Sequence, residues 1–241
     1  AVGSYLVPKL TKAAEDKGVQ FVMETAATEL VVTDGKVTGV KAGDTTYTGK
    51  AVILATGGFA ANTEMVLKYK PDYKGFVCTN APGMTGDGIV MATAVGADTT
   101  GLEIVQMMPS SSPVKGTMTD GIWGDASQQI WIDGEGNRFV NEYAERDVLT
   151  KASLALDGSI FYIIYAGSET NENGELLGAS LDNTLFGTTV QNMVDNHHVW
   201  YGSTLAELAE NSKTTAGGAN PNFTEEALRA TIEKYNSYVA S

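Results

Sequence analysis

The first part of the chain has apolar residues at helical spacing and then in short strand-like runs. Residues 3–17 predict a helix, because their apolar positions share one face and Gly18 stands where helices commonly end. The pair Asp34-Gly35 is a strong signal for a tight hairpin turn between two strands. The predicted strands are 21–23, 29–32 and 37–40. We therefore expect a helix followed by a β-ribbon.

A continuous apolar run follows the ribbon and ends in two glycines. Residues 51–56 are AVILAT, and an uninterrupted run of this length is typical of a strand that is buried on both faces of an α/β sheet. The run leads directly into Gly57 and Gly58. Helical patterns are predicted at 62–70 and 86–95. This part of the chain is therefore expected to belong to an α/β domain.

The character of the chain changes after about residue 104, where polar and glycine-rich stretches become frequent. Two further strands are expected, the first closed by a turn at 133–136, and two further helices each open with a threonine that can cap a helix. The predicted strands are 129–132 and 161–165, and the predicted helices are 204–210 and 224–239. A second domain is therefore expected to begin near residue 105.

The charge balance and the cysteine content exclude several classes of function. A formal net charge of −13 repels phosphate backbones and anionic membrane surfaces, so nucleic acid is not expected as a partner. A single cysteine, Cys78, excludes an intrachain disulfide and a cysteine-rich zinc or iron–sulfur site in this stretch. No apolar run approaches the roughly 20 residues that span a bilayer. No signal peptide is visible, and the sequence leaves the compartment open.

Four blocks of sequence carry a resemblance to a known group of proteins. They are AVILATGGFAANTEM (51–65), TNAPGMTGDGIVMA (79–92), NRFVNEYAERD (137–147) and LRATIEKYNSY (228–238). Together they resemble the flavoproteins that include the fumarate reductases, urocanate reductases and ketosteroid dehydrogenases. The amino-terminal dinucleotide-binding motif and the final flavin segment of that group have no counterpart here, and the chain does not begin with Met. We expect an internal section of such a protein.

The resemblance implies an α/β fold with an α+β cap. Residues 1–104 are expected to form a partial FAD-binding Rossmann-type domain and 105–212 a fumarate-reductase-like capping domain, while 213–241 form a linker and a helix that return to the FAD-binding domain. The expected cofactor is FAD, which the isolated chain is not expected to retain. The expected partners are a small-molecule substrate, the remaining segments of the same flavoprotein and an unidentified electron donor.

Two glycine-containing turns are the candidate flavin contacts. Glycines after a buried strand let backbone amides approach a cofactor, although the same glycines also suit a plain tight turn. Asp87 begins a predicted helix, where its carboxylate can face the flavin, cap the helix, or do both. The resemblance implies that the small residue Ala27 touches the adenosine part. The expected cofactor-binding residues are Ala27, Thr56, Gly57, Gly58, Phe59, Thr85, Gly86 and Asp87.

Arg146 is the candidate proton donor, because its block resembles the stretch whose arginine protonates the substrate carbon in that group. A guanidinium remains charged in proteins, so this role requires a neighbouring relay. Thr119-Asp120 stands where the group has a Thr-Glu pair, with the threonine at the substrate and the acid supplying protons. The alternatives are an ion pair of Arg146 with Glu142 or Asp147, and a plain turn at Thr119-Asp120.

Two positions depart from the fumarate reductases and predict a less polar substrate pocket. Met108 stands where those enzymes have a histidine, and Trp123 stands where they have an arginine. Both changes remove polar groups and add apolar surface. We therefore expect a substrate that is bulkier or less charged than a dicarboxylate.

The resemblance implies an FAD-dependent reductase of an activated carbon–carbon double bond, in an enoate or enone, and we expect the isolated chain to be inactive. One alternative is a dehydrogenase of a ketone or steroid-like substrate, with Tyr143 or Tyr162 as the base. Another is a non-catalytic binding module with a closed core, whereas a section of a flavoprotein predicts an exposed apolar face near 51–58. His197 and His198 lack nearby ligands in sequence, so no metal site is expected.

Overall fold

The computed structural model describes two compact units of the chain. Its described residues are 2–109, 126–166, 169–170, 176–177, 181, 184–185, 188–214 and 221–239. Unit 1 comprises Ala1–Tyr69 and Ala81–Leu102, and unit 2 comprises Lys70–Asn80 and Glu103–Ser241. Within the described ranges, the longest and most apolar helices still fall short of what a bilayer crossing needs.

The helices predicted for unit 1 are confirmed. Helix α1 spans Val2–Glu15, and Gly18 follows it with a φ of 82°, the left-handed conformation that glycine adopts without strain. Helix α2 spans Thr63–Tyr69, and the Asn62 side chain caps it by accepting a backbone N–H of its first turn at 3.0 Å. Helix α3 spans Asp87–Ala94.

The predicted β-ribbon is confirmed as a three-stranded antiparallel sheet. Strand β1 spans Glu29–Thr33, β2 spans Lys36–Ala42 and β3 spans Thr45–Thr48. Asp34 and Gly35 both have a positive φ, 50° and 71°, as a two-residue turn that matches the twist of its strands requires. The sequence pattern did not predict β3.

Two predicted strands of unit 1 are not strands in the structure. Residues 21–23 and 51–56 are described, and neither run forms a ladder with any described strand. A strand is stable only when a neighbour pairs with its backbone N–H and C=O groups. The expected burial of 51–56 on both faces is also wrong, because Ile53 is 89% exposed and Leu54 is 41% exposed. The exposed apolar face that a section of a flavoprotein predicts near 51–58 is confirmed.

Two loops of unit 1, at 56–59 and 84–88, are joined by hydrogen bonds through the start of α2. The Asn62 side chain donates to the Thr85 carbonyl at 3.0 Å while its oxygen caps α2. One amide side chain therefore links the second loop to the helix that follows the first loop.

Glycines allow the same two loops to approach closely. Gly86 has a φ of 84°, and a Cβ there would lie 2.9 Å from Phe59 Cβ and 2.7 Å from the Met65 sulfur. A Cβ at Gly88 would overlap the Thr56 side chain. Because real Cβ atoms do not pack this closely, the contact between the loops depends on glycine at both positions.

The sheet of unit 2 is a two-stranded antiparallel ladder. Strand β4 spans Gln129–Ile132 and β5 spans Tyr162–Tyr165, as predicted. Between them lies helix α4, Arg146–Leu154, which the sequence pattern did not predict. After β4 the chain turns back, and Arg138 forms an isolated antiparallel bridge with the end of β4.

The remaining elements of unit 2 follow β5. They are β6 (Glu169–Thr170), β7 (Leu176–Leu177), β8 (Thr184–Leu185), β9 (Thr188–Thr189), α5 (Val190–Asp195), α6 (Leu205–Asn211) and α7 (Glu225–Val239). Strand β6 pairs with β7, and β8 pairs with β9. Both predicted threonine caps are confirmed, because Thr204 accepts the Glu207 amide at 3.1 Å and Thr224 accepts the Ala227 amide at 3.3 Å.

The core of unit 2 joins β4 to α6 and α7. Ile132 and Leu228 are fully buried, and Ala209 and Phe223 pack with them. Helix α7 therefore lies inside unit 2, where it also contacts α6. The domain boundaries expected at 104 and 212, and the return of the last segment to an FAD-binding domain, stay predictions.

We expect Gly86→Ala to destabilise unit 1 more than Gly96→Ala does. Both glycines have a positive φ, 84° and 91°, so alanine strains the backbone at each by about 1–2 kcal/mol. Only at Gly86 does the new Cβ also overlap neighbouring atoms, which adds about 1–3 kcal/mol. Urea titration followed by far-UV circular dichroism measures the free energy of unfolding of each variant. Equal losses would contradict the close packing of the two loops.

Candidate active site

The turn after residues 51–56 combines one constrained glycine with one open glycine. Gly57 has a φ of 78°, and a Cβ there would lie 2.6 Å from the Met84 sulfur. Among the described residues, a Cβ at Gly58 would instead meet no heavy atom within 4 Å. Both glycines are exposed. The backbone at Gly58 therefore faces open space. A flat cofactor can lie against a turn only where the backbone is open in this way.

Asp87 is the first residue of α3, and it is exposed. Its Oδ1 accepts the Thr85 hydroxyl at 2.9 Å. Gly86 and not Asp87 occupies the N-cap position of α3, so the carboxylate is not the helix cap. The positive end of the helix dipole stabilises its charge. An exposed carboxylate at this position can accept a hydrogen bond from a hydroxyl or ring N–H of a ligand.

The structure brings most of the expected cofactor residues into one region of unit 1. Thr56 lies beside Gly88, and Phe59 lies beside Gly86. Ala27 belongs to the exposed segment that precedes β1, and β1 contacts α3. The part of each residue in binding a flavin stays a prediction.

Arg146 is the first residue of α4, and it is exposed. Its Nη1 donates to the Gln106 side-chain oxygen at 3.4 Å, which is long for a hydrogen bond. The two acids considered as its ion-pair partners, Glu142 and Asp147, are each paired with a different basic residue. Among the described residues, Arg146 therefore forms neither of the two ion pairs, with Glu142 or with Asp147, that were the alternatives to a catalytic role.

Glu142 is a buried carboxylate that the sequence did not mark as one. Its side chain is 1% exposed, and it pairs with Arg138 at 2.6 Å. The Trp131 amide donates to the same carboxylate at 2.9 Å. The hydrogen bond to Glu142 raises the pKa of Arg138. The sequence signal for this ion pair is the spacing of four residues between Arg138 and Glu142. Arg146 lies at the same spacing on the other side of Glu142.

The segment 105–108 contacts two other parts of unit 2, through Val105 and Met107. The Tyr73 hydroxyl donates to the Val105 carbonyl at 3.3 Å, and the Thr150 hydroxyl of α4 donates to the Met107 carbonyl at 3.5 Å. Met108, the next residue, is 43% exposed. The structure therefore brings the segment that carries Met108 against the helix that begins at Arg146.

Three expected site residues, Thr119, Asp120 and Trp123, lie outside the described residues. The two histidines lie just after α5, and His197 has a φ of 57°. In the part of the chain that the structure describes, no group of three or more His, Cys, Asp or Glu side chains is placed to hold a metal ion.

The two tyrosines considered as bases have different environments. Tyr143 is 66% exposed and lies three residues before Arg146. Tyr162 is half-buried, with its ring 5.7 Å from that of Trp200 and 5.9 Å from that of Phe223. Burial raises the pKa of Tyr162, which disfavours the phenolate that a base needs. Of the two, Tyr143 is the more exposed.

Comparison with known proteins relates this geometry to a family. The model of the FAD binding domain family matches residues 2–241. The NADH:acrylate oxidoreductase of Vibrio harveyi is 30% identical over 261 aligned positions, which cover 98% of this chain and 25% of that protein. The open conformation of a flavocytochrome c3 fumarate reductase matches 97% of this chain and 38% of its own, with a TM-score of 0.60 and 28% identity.

A second solved structure shares the fold. The 3-ketosteroid delta1-dehydrogenase of Sterolibacterium denitrificans has a TM-score of 0.59 over 95% of this chain and 42% of its own, at 19% identity, which shows a common fold alone. The chain thus spans between about a quarter and two-fifths of the length of these proteins.

These comparisons confirm the expected fold class, an α/β FAD-binding domain with the cap of the fumarate reductases. They also confirm FAD as the cofactor of the family. The match of the family model extends through both units, from residue 2 to residue 241. The chain belongs to the FAD binding domain family, in the group of flavoprotein oxidoreductases that contains the fumarate reductases.

Proposed function

We propose that the complete gene product reduces an activated carbon–carbon double bond, with FAD as cofactor and Arg146 as the proton donor. The observation that carries this proposal is the state of Arg146, which is exposed and, among the described residues, donates only to the neutral Gln106 side chain. A guanidinium held in a bidentate ion pair would be withdrawn from a substrate. Acrylate and fumarate, named in two similar proteins, are both compounds with such a double bond.

Unit 1 supplies the flavin contacts in this proposal. Gly58 offers open backbone, and Gly57 holds the turn in a conformation that suits glycine. The Asp87 carboxylate, oriented by the Thr85 hydroxyl, accepts a hydrogen bond from the cofactor. Ala27, Thr56, Phe59 and Gly86 complete the proposed contacts, with Ala27 at the adenosine part. When bound and reduced, FAD supplies the hydride for one carbon of the double bond.

Arg146 supplies the proton for the other carbon, so the substrate gains one hydride and one proton. A guanidinium holds its proton strongly and must be reprotonated at once, because its neutral form is very unfavourable in a protein. We assign that relay to Asp120, and contact with the substrate to Thr119. Aspartate is one methylene shorter than the glutamate of the fumarate reductases, so a water molecule can complete the relay.

The substrate pocket is proposed to be less polar than that of a dicarboxylate reductase. Met108 presents a thioether on the segment that α4 holds in place. Trp123 adds apolar surface. Neither side chain offers a positive charge to a second carboxylate, and leaving a carboxylate unpaired in a dry pocket is unfavourable. An enone or a monocarboxylic enoate is therefore the proposed substrate class.

Further segments of the same flavoprotein are the proposed partners of unit 1. Its large exposed apolar side chains are Tyr5, Leu6, Val7, Leu10, Val19, Phe21, Val22, Met23, Val32, Tyr47, Ile53, Leu54, Val90 and Val95. Such a concentration of exposed apolar surface marks a contact surface. Without those segments the isolated chain is expected to retain little FAD and to have no turnover. An electron donor completes the proposed cycle by reducing the flavin.

A dehydrogenase acting on a ketone or steroid-like substrate is the second candidate. The observation in its favour is the exposed Tyr143, which lies three residues before Arg146 and can serve as a base. The two candidates require opposite proton transfers, donation from Arg146 or abstraction by Tyr143. Substitution of each residue therefore separates them.

We expect Gly58→Leu to weaken FAD binding by the complete gene product about tenfold or more. A tenfold loss of affinity corresponds to ~1.4 kcal/mol of binding free energy. The new side chain occupies the open space that the cofactor is proposed to use. Gly134→Leu is the matched control, because a Cβ at that turn of unit 2 also meets no atom of the described chain within 4 Å. Flavin absorbance per polypeptide after gel filtration measures retention. Full flavin content in Gly58→Leu would contradict the proposed contact.

We expect Arg146→Gln to lower kcat for reduction about 10²- to 10⁴-fold, because the variant removes the general acid. Tyr143→Phe is expected to leave kcat unchanged. Anaerobic reoxidation of the reduced flavin by acrylate, fumarate and cyclohex-2-enone measures the reaction. The opposite ranking of the two variants would support the dehydrogenase, and a complete gene product without bound flavin would end both proposals.

We expect Met108→His to shift substrate preference toward carboxylates. A charge-assisted hydrogen bond contributes about 1.5–3 kcal/mol, so the ratio of kcat/KM for fumarate to that for cyclohex-2-enone should rise about tenfold or more. Met107→His at the adjacent position is the control. An unchanged ratio in Met108→His would remove Met108 from the proposed pocket.

A further inference from the structure

The carboxylate of Glu142 is buried, charged and unused by the proposed reaction. Arg138 holds it with a fork, through Nε at 3.0 and 3.1 Å from the two carboxylate oxygens and through Nη2 at 2.6 Å. The Trp131 amide adds a third donor at 2.9 Å. Burial of an ion pair is unfavourable unless its geometry is good, and here both carboxylate oxygens are engaged. We call these contacts of Glu142 with Arg138 and Trp131 the Glu142 clasp.

The Glu142 clasp ties the start of α4 to two other elements of unit 2. Trp131 is a buried residue of β4, with its indole N–H bonded to Gln129 at 2.8 Å. The Arg138 guanidinium also lies 5.3 Å from the centre of the Tyr235 ring of α7. The carboxylate is thus anchored to the sheet on one side and, through Arg138, to a helix on the other.

Only three residues separate Glu142 from Arg146, and local hydrogen bonds restrict them. The Ala144 amide donates to the Asn141 carbonyl at 2.9 Å, and the Tyr143 amide donates to the Asn141 side chain at 3.1 Å. The turn therefore connects the clasp to the first residue of α4 with little freedom.

The first turn of α4 has no side-chain cap of its own. Its N-cap residue, Glu145, makes no capping hydrogen bond. Later in the helix, the Thr150 hydroxyl lies 3.5 Å from the Met107 carbonyl, which is also long for a hydrogen bond. The turn that the Glu142 clasp anchors leads directly into the beginning of the helix, where Arg146 lies.

We propose that Glu142 is a positioning residue for Arg146, acting through the 141–145 turn and without contact with the substrate. This inference rests on the proposed role of Arg146 as proton donor. Proton transfer requires the donor within hydrogen-bond reach of the reacting carbon, and a misplacement of about 1 Å can lower a rate about 100-fold. Loss of the clasp should therefore slow the step that uses Arg146 and leave the other steps of the cycle unchanged.

The test uses Glu142→Gln in the complete flavin-loaded gene product, because glutamine keeps the volume and removes the charge. Glu145→Gln is the matched control, three residues along and exposed. Reduction of the flavin by reduced methyl viologen and its reoxidation by acrylate, or by the fastest oxidant among fumarate and cyclohex-2-enone, are timed separately by stopped flow. We expect reoxidation by saturating substrate to slow about 10- to 100-fold, with flavin reduction within about twofold of the parent.

Arg138→Lys provides a milder second variant if Glu142→Gln retains too little flavin to assay. Lysine keeps the positive charge and loses the fork, so a smaller slowing of reoxidation alone is expected. Equal slowing of both half-reactions in the variant assayed would show a general structural role and overturn the inference, and so would unchanged reoxidation.

Arg146→Gln in the same assay separates two ideas: the positioning role of Glu142 and the proton-donor role of Arg146 on which it rests. Fast reoxidation in Arg146→Gln would refute the proton-donor role, and with it the reason for positioning that residue. Slow reoxidation in Arg146→Gln with parental reoxidation in Glu142→Gln would leave the proposed function intact and remove only the part assigned to Glu142.

Discussion

A buried carboxylate must be matched by donors, and in unit 2 this requirement organises the part of the chain that carries Arg146. Glu142 is 5% exposed as a whole residue, and Arg138 and the Trp131 amide donate hydrogen bonds to its carboxylate oxygens. Breaking a buried pair by removing one partner costs about 3–5 kcal/mol, which is a large fraction of the stability of a domain. The pairing has a second consequence for chemistry. Since Arg138 pairs with Glu142, Arg146 has no carboxylate partner among the described residues, which leaves its guanidinium available for the proposed role.

Unit 1 is built on a different constraint, the close approach of two loops that have glycine at the points of contact. Gly86 and Gly88 are buried where a side chain would strike Phe59 or Thr56. Gly58 is exposed, and a Cβ there would meet none of the described residues within 4 Å. The first two glycines therefore serve packing, while the third leaves backbone open on the surface. Glycines that look equivalent in sequence thus differ in the structure. Packing requires glycine at Gly86 and Gly88 but not at Gly58.

Membership in the FAD binding domain family narrows the chemistry without fixing the substrate, because one fold supports many reactions. The departures from the fumarate reductase pattern are therefore informative. Met108 follows Met107, whose carbonyl lies 3.5 Å from the Thr150 hydroxyl of α4. In the proposed pocket, replacement of polar by apolar groups favours substrates with less charge. In the proposed function, the proton donor of the group is kept as Arg146, while Met108 and Trp123 replace polar residues of the fumarate reductases.

The sequence by itself determined the elements whose hydrogen bonds are local. Asp34-Gly35 specified the hairpin, and Thr204 and Thr224 specified the starts of two helices, because turns and caps bond to residues within four positions. Tertiary structure decided the rest. The run 51–56 has the apolar character of a buried strand, yet a strand exists only beside a partner, and no described strand pairs with it. Glu142 has an arginine four residues away on either side, so spacing alone could not choose between Arg138 and Arg146. The return of the chain after β4 made that choice, by bringing Arg138 and the Trp131 amide to the same carboxylate.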